Sequence, residues 1–335
     1  MGGMAKFGND LYTGARSFNF VGNRRIWYII AAVTILISVV GPAIRGGFVF
    51  GIEFRGGSEF QVSQIANLDD DPIQNQNVAT ETVDSVVPDA SPRVTTVGDS
   101  GIRVQTEQLT QEQSTELAGA LAETFDVPVT QVTSSFIGPS WGADITQSAI
   151  RALVVFIILA GIVMALYFRT WKMSVAAIVS LLHDIIITAG VYGLLGFEIT
   201  PSAVIGFLTI LGYSLYDTVV VFDKIRENTN EGTARTFGES VNLAVNQTLV
   251  RSINTSVVAL LPIGSILFIG AFVLGAGTLR DISLALFIGV LVGTYSTIFI
   301  AAPLYATFRQ GETIVRDSDK KKTAAVTRTT SGAVR

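Results

Sequence analysis

The stretch ITPSAVIGFLTILGYSLYDTVVVF, Ile199–Phe222, is almost wholly apolar and contains a single charged residue, Asp217. An apolar run of about 18 or more residues predicts a helix that spans a membrane. Five other runs meet the same criterion, so the sequence predicts a polytopic α-helical membrane protein with six transmembrane helices. The predicted spans are Ile26–Ile44, Ala149–Phe168, Met173–Leu195, Ile199–Phe222, Ile253–Leu274 and Ile282–Tyr305.

Charged residues are scarce and unevenly distributed along the chain. They make up 15% of the 335 residues, against about 25% in an average soluble domain. The segment Arg45–Ser148 holds 15 acids and 4 bases, a net charge of −11, between two basic flanks of +3 and +4 that bring the total to −4. This pattern excludes a uniform soluble globule, a collagen-like chain and a wholly disordered chain. It also argues against nucleic-acid binding, because no folded segment carries a basic stripe.

The basic residues near the span ends predict the orientation in the membrane. One side collects 17 of the 23 lysines and arginines, and the positive-inside rule makes that side cytoplasmic. Both termini are therefore expected inside the cell. The predicted segments are a cytoplasmic N-terminal segment 1–25, transmembrane helix 26–44, an extracytoplasmic domain 45–148, a five-helix membrane bundle 149–308 and a basic, disordered cytoplasmic tail 309–335.

The acidic block 45–148 is long enough for one small domain. Its alternation of apolar patterns predicts the order β-α-β-β-α-β, which is the ferredoxin-like α+β motif. No convergent nucleophile, base or phosphate loop is present in it, so a binding or docking role is favoured over catalysis. The predicted elements are strand Ile52–Ser63, helix Pro72–Val86, strands Arg93–Val97 and Gly101–Glu107, helix Thr110–Phe125 and strand Val127–Phe136.

Asp217 is the clearest functional candidate, because an ionisable residue inside a span is costly and marks function by default. Tyr213 and Ser214 precede it by four and three residues and share its helix face. A carboxyl group whose charge is costly is a candidate for binding and releasing a proton. The alternative is a structural ion pair or a polar contact between helices.

Arg251 opens the predicted fifth span, and Asn254 and Thr255 share its face. A cation facing Asp217 would let protonation switch a helix contact. The alternative is an arginine that reaches the cytoplasmic surface as part of the orientation pattern.

Three further groups of residues stand out in the spans. The pair His183-Asp184 lies in the middle of the third span and either lines a polar seam with Asp217 or bonds between helices. A charged cluster at the cytoplasmic mouth of the fourth span is either a gate or a solvated helix end; it comprises Asp223, Arg226 and Glu227. Gly289 and Gly293 form a small-xxx-small pair, which is typical of close helix packing.

The residues that the chain lacks exclude several kinds of chemistry. It has no cysteine and one histidine, which excludes disulfides, thiol nucleophiles, zinc–thiolate sites and multi-histidine metal sites. It also has no phosphate-binding nucleotide motif and no catalytic constellation. We therefore expect neither an enzyme nor a protein with a resident cofactor or metal.

Four motifs together resemble the SecF branch of the SecD/SecF family of bacterial protein-export membrane subunits, related to the resistance-nodulation-division superfamily. They are GIEFRGG at Gly51–Gly57, His183-Asp184, GYSLYDTVVVFDKIREN at Gly212–Asn228 and RSINTS at Arg251–Ser256. The resemblance covers roughly residues 18–308, and the Gly212–Asn228 motif is the most specific. Two residues depart from the family pattern, Glu53 in place of aspartate and Lys224 in place of arginine; both keep the charge.

The resemblance implies a cell-membrane protein that pairs with SecD and uses the proton gradient to assist late steps of protein translocation. The implied partners are SecD, the SecYEG channel with its ATP-driven motor, an unfolded exported polypeptide and protons. The family's proton-linked residues match Asp217 and Arg251. Two alternatives remain: half of a proton-driven small-molecule or lipid exporter of the same superfamily, and a translocon scaffold without transport activity.

Overall fold

The computed structural model confirms six helices that are long and apolar enough to cross a membrane. It describes residues 3–66, 68, 71–88, 90–98, 100–230, 236–273 and 277–310. The predicted tail 309–335 therefore lies almost wholly outside the described residues.

The membrane helices are longer than the apolar runs that predicted them. A short N-terminal helix, which the sequence did not predict, precedes them. The helices are α1 (Gly3–Tyr12), α2 (Arg24–Ile44), α6 (Pro139–Phe168), α7 (Trp171–Leu195), α8 (Pro201–Asn230), α9 (Phe237–Ser265) and α10 (Gly277–Ser296). Helix α9 continues as a wider π-helical segment Ile266–Val273, and α10 continues through a similar segment, Thr297–Ala301, into α11 (Ala302–Phe308).

The extension of α9 at its N-terminal end has a clear physical cause. Thr236 and Glu239 form a capping box in which each side chain accepts a hydrogen bond from the other residue's backbone N–H, and this stabilises a helix start. Behind the cap, Val241, Ala244 and Val245 are fully buried in the largest apolar cluster of the bundle. The hydropathy criterion located only the apolar half of this helix, since its first turns are too polar to count as a membrane run.

The domain between α2 and α6 has the predicted strand and helix order. Its elements are β1 (Val49–Phe50), α3 (Ile52–Arg55), β2 (Gly57–Val62), α4 (Pro72–Val86), β3 (Arg93–Val97), β4 (Gly101–Thr106), α5 (Gln111–Thr124) and β5 (Val132–Ile137). The four-stranded antiparallel sheet has the order β3-β4-β2-β5. This order and the two helices agree with the ferredoxin-like prediction.

Helices α4 and α5 cover the sheet through a separate apolar core. Phe60, Ile102, Leu117 and Leu121 are fully buried in it. Helix α5 begins directly after Thr110, the first residue of the predicted helix, and the Thr110 side chain caps it by accepting a hydrogen bond from the Gln113 backbone N–H.

Two predicted strands of this domain are shorter than expected. The segment Ile52–Arg55 is helical, so the predicted strand Ile52–Ser63 was wrong over its first residues, and only Gly57–Val62 forms β2. A single turn of 3-10 helix, Val129–Gln131, replaces the start of the predicted strand Val127–Phe136. Gly56 separates α3 from β2 with φ 77°, a backbone conformation that glycine adopts readily.

The ferredoxin-like domain is attached directly to the bundle. Strand β1 pairs in parallel with a two-residue strand β6 (Glu198–Ile199) in the turn between α7 and α8. The Arg93 guanidinium donates to the backbone oxygen of Gly196 at 3.4 Å in the same turn. The domain therefore contacts the connection that leads into α8, the helix that carries Asp217.

Glu53 at this junction predicts a pH-dependent stability. Burial, followed by the negative charges of Glu198 and Glu59, raises the pKa of Glu53 above its ordinary value of 4.5, while Arg103 offsets part of the shift. Because the pKa is higher in the folded state, the folded domain is most favoured when Glu53 is protonated and loses stability as pH rises through that pKa. We expect Glu53→Gln to raise the unfolding temperature at neutral pH.

The gain should shrink as pH falls through the pKa of Glu53, because the wild-type side chain is then neutral as well. Thermal unfolding of the detergent-solubilised chain between pH 3.5 and 8 measures both effects. Glu116→Gln on the exposed face of α5 is the matched control and should show no such dependence. A Glu53→Gln chain that is less stable at neutral pH would contradict this assignment.

Candidate functional site

Asp217 is buried in α8, with only 6% of its surface exposed. One carboxylate oxygen, Oδ1, accepts a hydrogen bond from the Ser252 hydroxyl of α9 at 2.9 Å. The other oxygen, Oδ2, is buried without a hydrogen-bond partner among the described residues. A buried carboxylate with half of its hydrogen-bonding capacity unused is costly when charged, so the geometry suits a group that takes up a proton.

Arg251 lies next to this site but does not pair with Asp217. Its side chain is exposed, and its guanidinium donates to the Tyr216 hydroxyl at 3.4 Å. No ion pair within 4.0 Å joins Arg251 to Asp217 in the described part of the chain. Neighbouring helix positions diverge by about 100°, so Ser252 points into the bundle where Arg251 points out. The expected direct contact is absent here, and the proton-linked role of Arg251 stays a prediction.

The pair His183-Asp184 forms a second buried polar cluster. Asp184 is fully buried, contacts His183 Nδ1 at 3.2 Å and accepts from the Ser214 hydroxyl of α8 at 2.6 Å. Ser214 therefore bonds to Asp184 rather than to Asp217, although it lies on the expected buried face. The cluster joins α7 to α8 only one helical turn from Asp217.

The other polar residues near Asp217 are divided between the interior and the surface. Tyr213 is half-buried and lies within reach of Ser256 on α9. Thr255 donates its hydroxyl to the backbone oxygen of Arg251 at 2.8 Å, which satisfies it within its own helix. Asn254 is exposed.

The charged cluster at the end of α8 contacts a neighbouring helix and its own helix surface. Asp223 accepts a hydrogen bond from the Tyr167 hydroxyl of α6 at 2.8 Å. Lys224 forms a 2.7 Å ion pair with Glu227, which is more than half exposed. A solvated helix end accounts for these contacts, and a gating role stays a prediction.

The two glycines of α10 lie where helices approach each other closely. A Cβ atom at Gly289 would overlap the side chain of Ile210 on α8. A Cβ at Gly293 would lie 3.1 Å from Ser214 and 3.6 Å from the Asp184 carboxylate. The absence of side chains at these positions lets α10 approach α8 and the Asp184 carboxylate closely.

Two features of the site were missed at the sequence level. Ser252 lies within the motif RSINTS, but only positions on the Arg251 face were considered, and Ser252 is on the neighbouring face. Asp281 directly precedes the predicted sixth span. It is buried, its carboxylate accepts from Thr200 at 2.8 Å, and its backbone oxygen accepts from the Tyr192 hydroxyl at 2.9 Å. These bonds link α7, α8 and α10 beneath the ferredoxin-like domain.

A polar stripe runs along the outside of α8 and α9, beside the buried Asp217. We call it the polar face; its exposed members are Thr209, Gly212, Tyr216, Arg251 and Asn254. By contrast, the exposed positions of α6 between Val154 and Leu166 are apolar and include Ile158 and Ile162. Within the described residues, no group of three or more His, Cys, Asp or Glu side chains could hold a metal ion.

The fold and the site define a class: an integral membrane protein with six spans, a ferredoxin-like domain outside the membrane and a buried carboxylate in the bundle. Comparison with known proteins narrows this class. The family model described as "Protein export membrane protein SecD/SecF, C-terminal" matches residues 117–311. The chain is 44% identical to the protein translocase subunit SecF of Streptomyces coelicolor over 317 residues, which cover 93% of this chain and 82% of that protein.

Two other relatives agree with this match. The protein translocase subunit SecF of Mycobacterium tuberculosis H37Rv is 38% identical over 333 residues, or 95% of this chain and 73% of that protein. The crystal structure of SecDF from Thermus thermophilus, described as a translocon-associated membrane protein, superposes with a TM-score of 0.75 at 32% identity. That match covers 88% of this chain but only 39% of the longer SecDF chain. The chain belongs to the SecD/SecF family of protein-export membrane proteins.

Proposed function

We propose that this chain pairs with SecD and uses the proton gradient to assist late steps of protein translocation by the Sec pathway. The observation that carries the proposal is the buried Asp217, with one unpartnered carboxylate oxygen, directly behind the exposed polar face. The proposed role of this chain in Sec export is inferred from its relatives, which are named protein translocase subunits. The proposed setting is the bacterial cytoplasmic membrane with both termini in the cytoplasm.

The polar face supports a partner within the membrane. An arginine and an amide on the lipid-facing side of a helix are costly, and such groups normally face a bundle interior or another helix. This chain matches only 39% of the SecDF relative. We propose that a separate SecD subunit takes the place of the rest of that protein and covers the polar face. SecD covering the polar face would enclose Asp217 and Arg251 between the two subunits.

The proposed cycle starts from proton binding at Asp217. Protonation removes the carboxylate charge and weakens the Ser252 hydrogen bond together with contacts to the partner subunit. Helices α8 and α9 then repack, and the junction through β6 transmits the change to the ferredoxin-like domain. That domain holds an unfolded exported chain emerging from the SecYEG channel, after its ATP-driven motor has acted, and keeps it from sliding back. One charge crossing 100 mV supplies about 2.3 kcal/mol for this step.

A site-specific crosslink tests the partner and the surface together. Because the chain has no cysteine, Thr209→Cys on the polar face carries one benzophenone-maleimide label after reaction. Illumination in membranes that contain SecD should give one product of the combined mass. Ile158→Cys, which is also exposed but lies on the apolar part of α6, is the matched control and should give none. Equal crosslinking from both positions, or a product containing two copies of this chain, would reject the pairing.

A further inference from the structure

All four basic residues of the acidic segment Arg45–Ser148 lie at its membrane end. Arg45 donates to the backbone oxygen of Leu194, and Arg93 donates to that of Gly196, both at the end of α7. Arg103 lies against Gly277 at the start of α10. Arg55 ends the short helix α3, which packs on the beginning of α6. The domain is therefore acidic as a whole but basic where it meets the membrane.

Two of these arginines line a cleft of about 500 Å³ at this end of the domain. Arg55 and Arg93 contribute the cations, and Gln105, Gln108 and Ser91 contribute amide and hydroxyl groups. Planar guanidinium groups with neighbouring neutral donors are the arrangement that proteins use to bind phosphate oxygens. The cleft therefore has the chemistry of a phosphate site.

Neither arginine in the cleft forms an ion pair with a carboxylate of the described residues. By contrast, Arg103 has Glu59 at 3.7 Å. Glu107 also lines the cleft, but it is exposed and makes no ion pair in that part of the chain. The half-buried Arg93 and the exposed Arg55 are two cations that line the same cleft. An anion bound between them relieves their mutual repulsion.

The electrostatics of Arg93 agree with this. Burial lowers the pKa of the Arg93 guanidinium, the negative charge of Glu198 raises it, and the positive charge of Arg55 lowers it. A bound anion between the two arginines would offset both the burial of Arg93 and its repulsion by Arg55.

The cleft lies at the level of phospholipid headgroups. Arg93 contacts the residue that caps α7, and a helix of 25 residues spans about 37 Å. This length exceeds the hydrocarbon core of about 30 Å, so the capping residue lies in the headgroup layer. The anion that membrane geometry supplies at this depth is a lipid phosphate.

We propose that Arg55 and Arg93 bind the headgroup of an anionic phospholipid in the leaflet that faces the ferredoxin-like domain. The bound lipid holds the base of that domain on the membrane surface beside the turn between α7 and α8. This inference does not depend on SecD pairing or on proton coupling.

Native mass spectrometry of the full chain in detergent tests the site, with phosphatidylglycerol titrated in and phosphatidylcholine and inorganic phosphate as separate probes. We expect one phosphatidylglycerol to bind most tightly and its affinity to fall at least about tenfold in the double variant Arg55→Gln/Arg93→Gln. The variant Arg45→Gln/Arg151→Gln removes the same charge from exposed arginines outside the cleft and should keep the affinity. Equal losses in both variants would overturn the proposal, and so would binding of inorganic phosphate without the lipid.

A measurement on the unmodified chain covers the case in which the double variant does not fold. A photoactivatable phosphatidylglycerol with its reactive group in the headgroup should label the peptides that contain Arg55 and Arg93. Labelling confined to the apolar faces of the membrane helices would overturn the proposal. If the labelling is lost when purified SecD is added, the two arginines bind carboxylates of a protein partner. That result would also overturn the lipid proposal.

Discussion

Asp217→Asn is expected to abolish the proton-gradient-dependent part of protein export while leaving the chain folded. Asparagine has nearly the same shape and can still accept the Ser252 hydrogen bond at 2.9 Å, but it cannot bind and release a proton. One charge moved across 100 mV is worth about 2.3 kcal/mol, which corresponds to a bias of about 50-fold. Export into inverted membrane vesicles, with and without an uncoupler, measures whether that bias is present.

The controls separate loss of proton binding from general damage. Asp144→Asn neutralises an exposed carboxylate at the start of α6 and should keep the full gradient response. Ser252→Ala removes the described hydrogen-bond partner of Asp217 and should leave a weakened response, because the carboxyl group remains. An Asp217→Asn chain whose export still responds fully to the gradient would exclude Asp217 as the proton-linked group.

Gly289→Ala is expected to destabilise the bundle, although alanine normally favours a helix over glycine by about 1 kcal/mol. The new Cβ would overlap the side chain of Ile210, which is almost completely buried. Ile210 is β-branched and has no free rotamer to move into, so α8 and α10 must separate. Overpacking of this kind costs about 1–3 kcal/mol, and thermal unfolding in detergent should show a lower midpoint.

Gly212→Ala is the matched comparison, because a Cβ at Gly212 meets no atom within 4 Å. There the helix propensity acts alone, so this variant should be neutral or slightly more stable. The two substitutions are chemically identical, but only Gly289→Ala is expected to lower the midpoint. A midpoint for Gly289→Ala at or above the wild-type value would show that the α8–α10 contact is adaptable.

The sequence alone was sufficient to predict the architecture, because hydropathy and charge are summed over many residues. Six apolar runs located the six spans, and the separation of acidic and basic blocks marked the domain between the first two. The start of the predicted helix Thr110–Phe125 was correct, and Thr110 caps it through a local interaction with the Gln113 backbone. Errors occurred at Ile52–Arg55 and at the start of β5, where short segments carry too few residues for a reliable periodicity.

The choice of partner for each polar residue was decided by the tertiary structure alone. The positions of Asp217, Ser214 and Arg251 on their helices were readable from spacing. Yet Ser214 bonds to Asp184, Asp217 to Ser252 and Arg251 to Tyr216. A hydrogen bond depends on the rotation of two helices about their axes, and a difference of one residue changes the direction of a side chain by about 100°. The relative rotation of two helices cannot be read from the residue spacing within either helix alone.

The convergence of the four arginines beneath an acidic domain has the same origin. Residues 45, 55, 93 and 103 are far apart in the sequence, where they look like isolated bases in an acidic block. The β-α-β-β-α-β topology brings the start of β2, the start of β3 and the end of β4 to one end of the sheet. The pairing of β1 with β6 places that end against the membrane helices. Composition therefore determined that this chain is a membrane protein with one acidic domain outside the bilayer. Only the packing of distant segments determined which charges meet, because those contacts are set by geometry between elements and not by the order of residues within them.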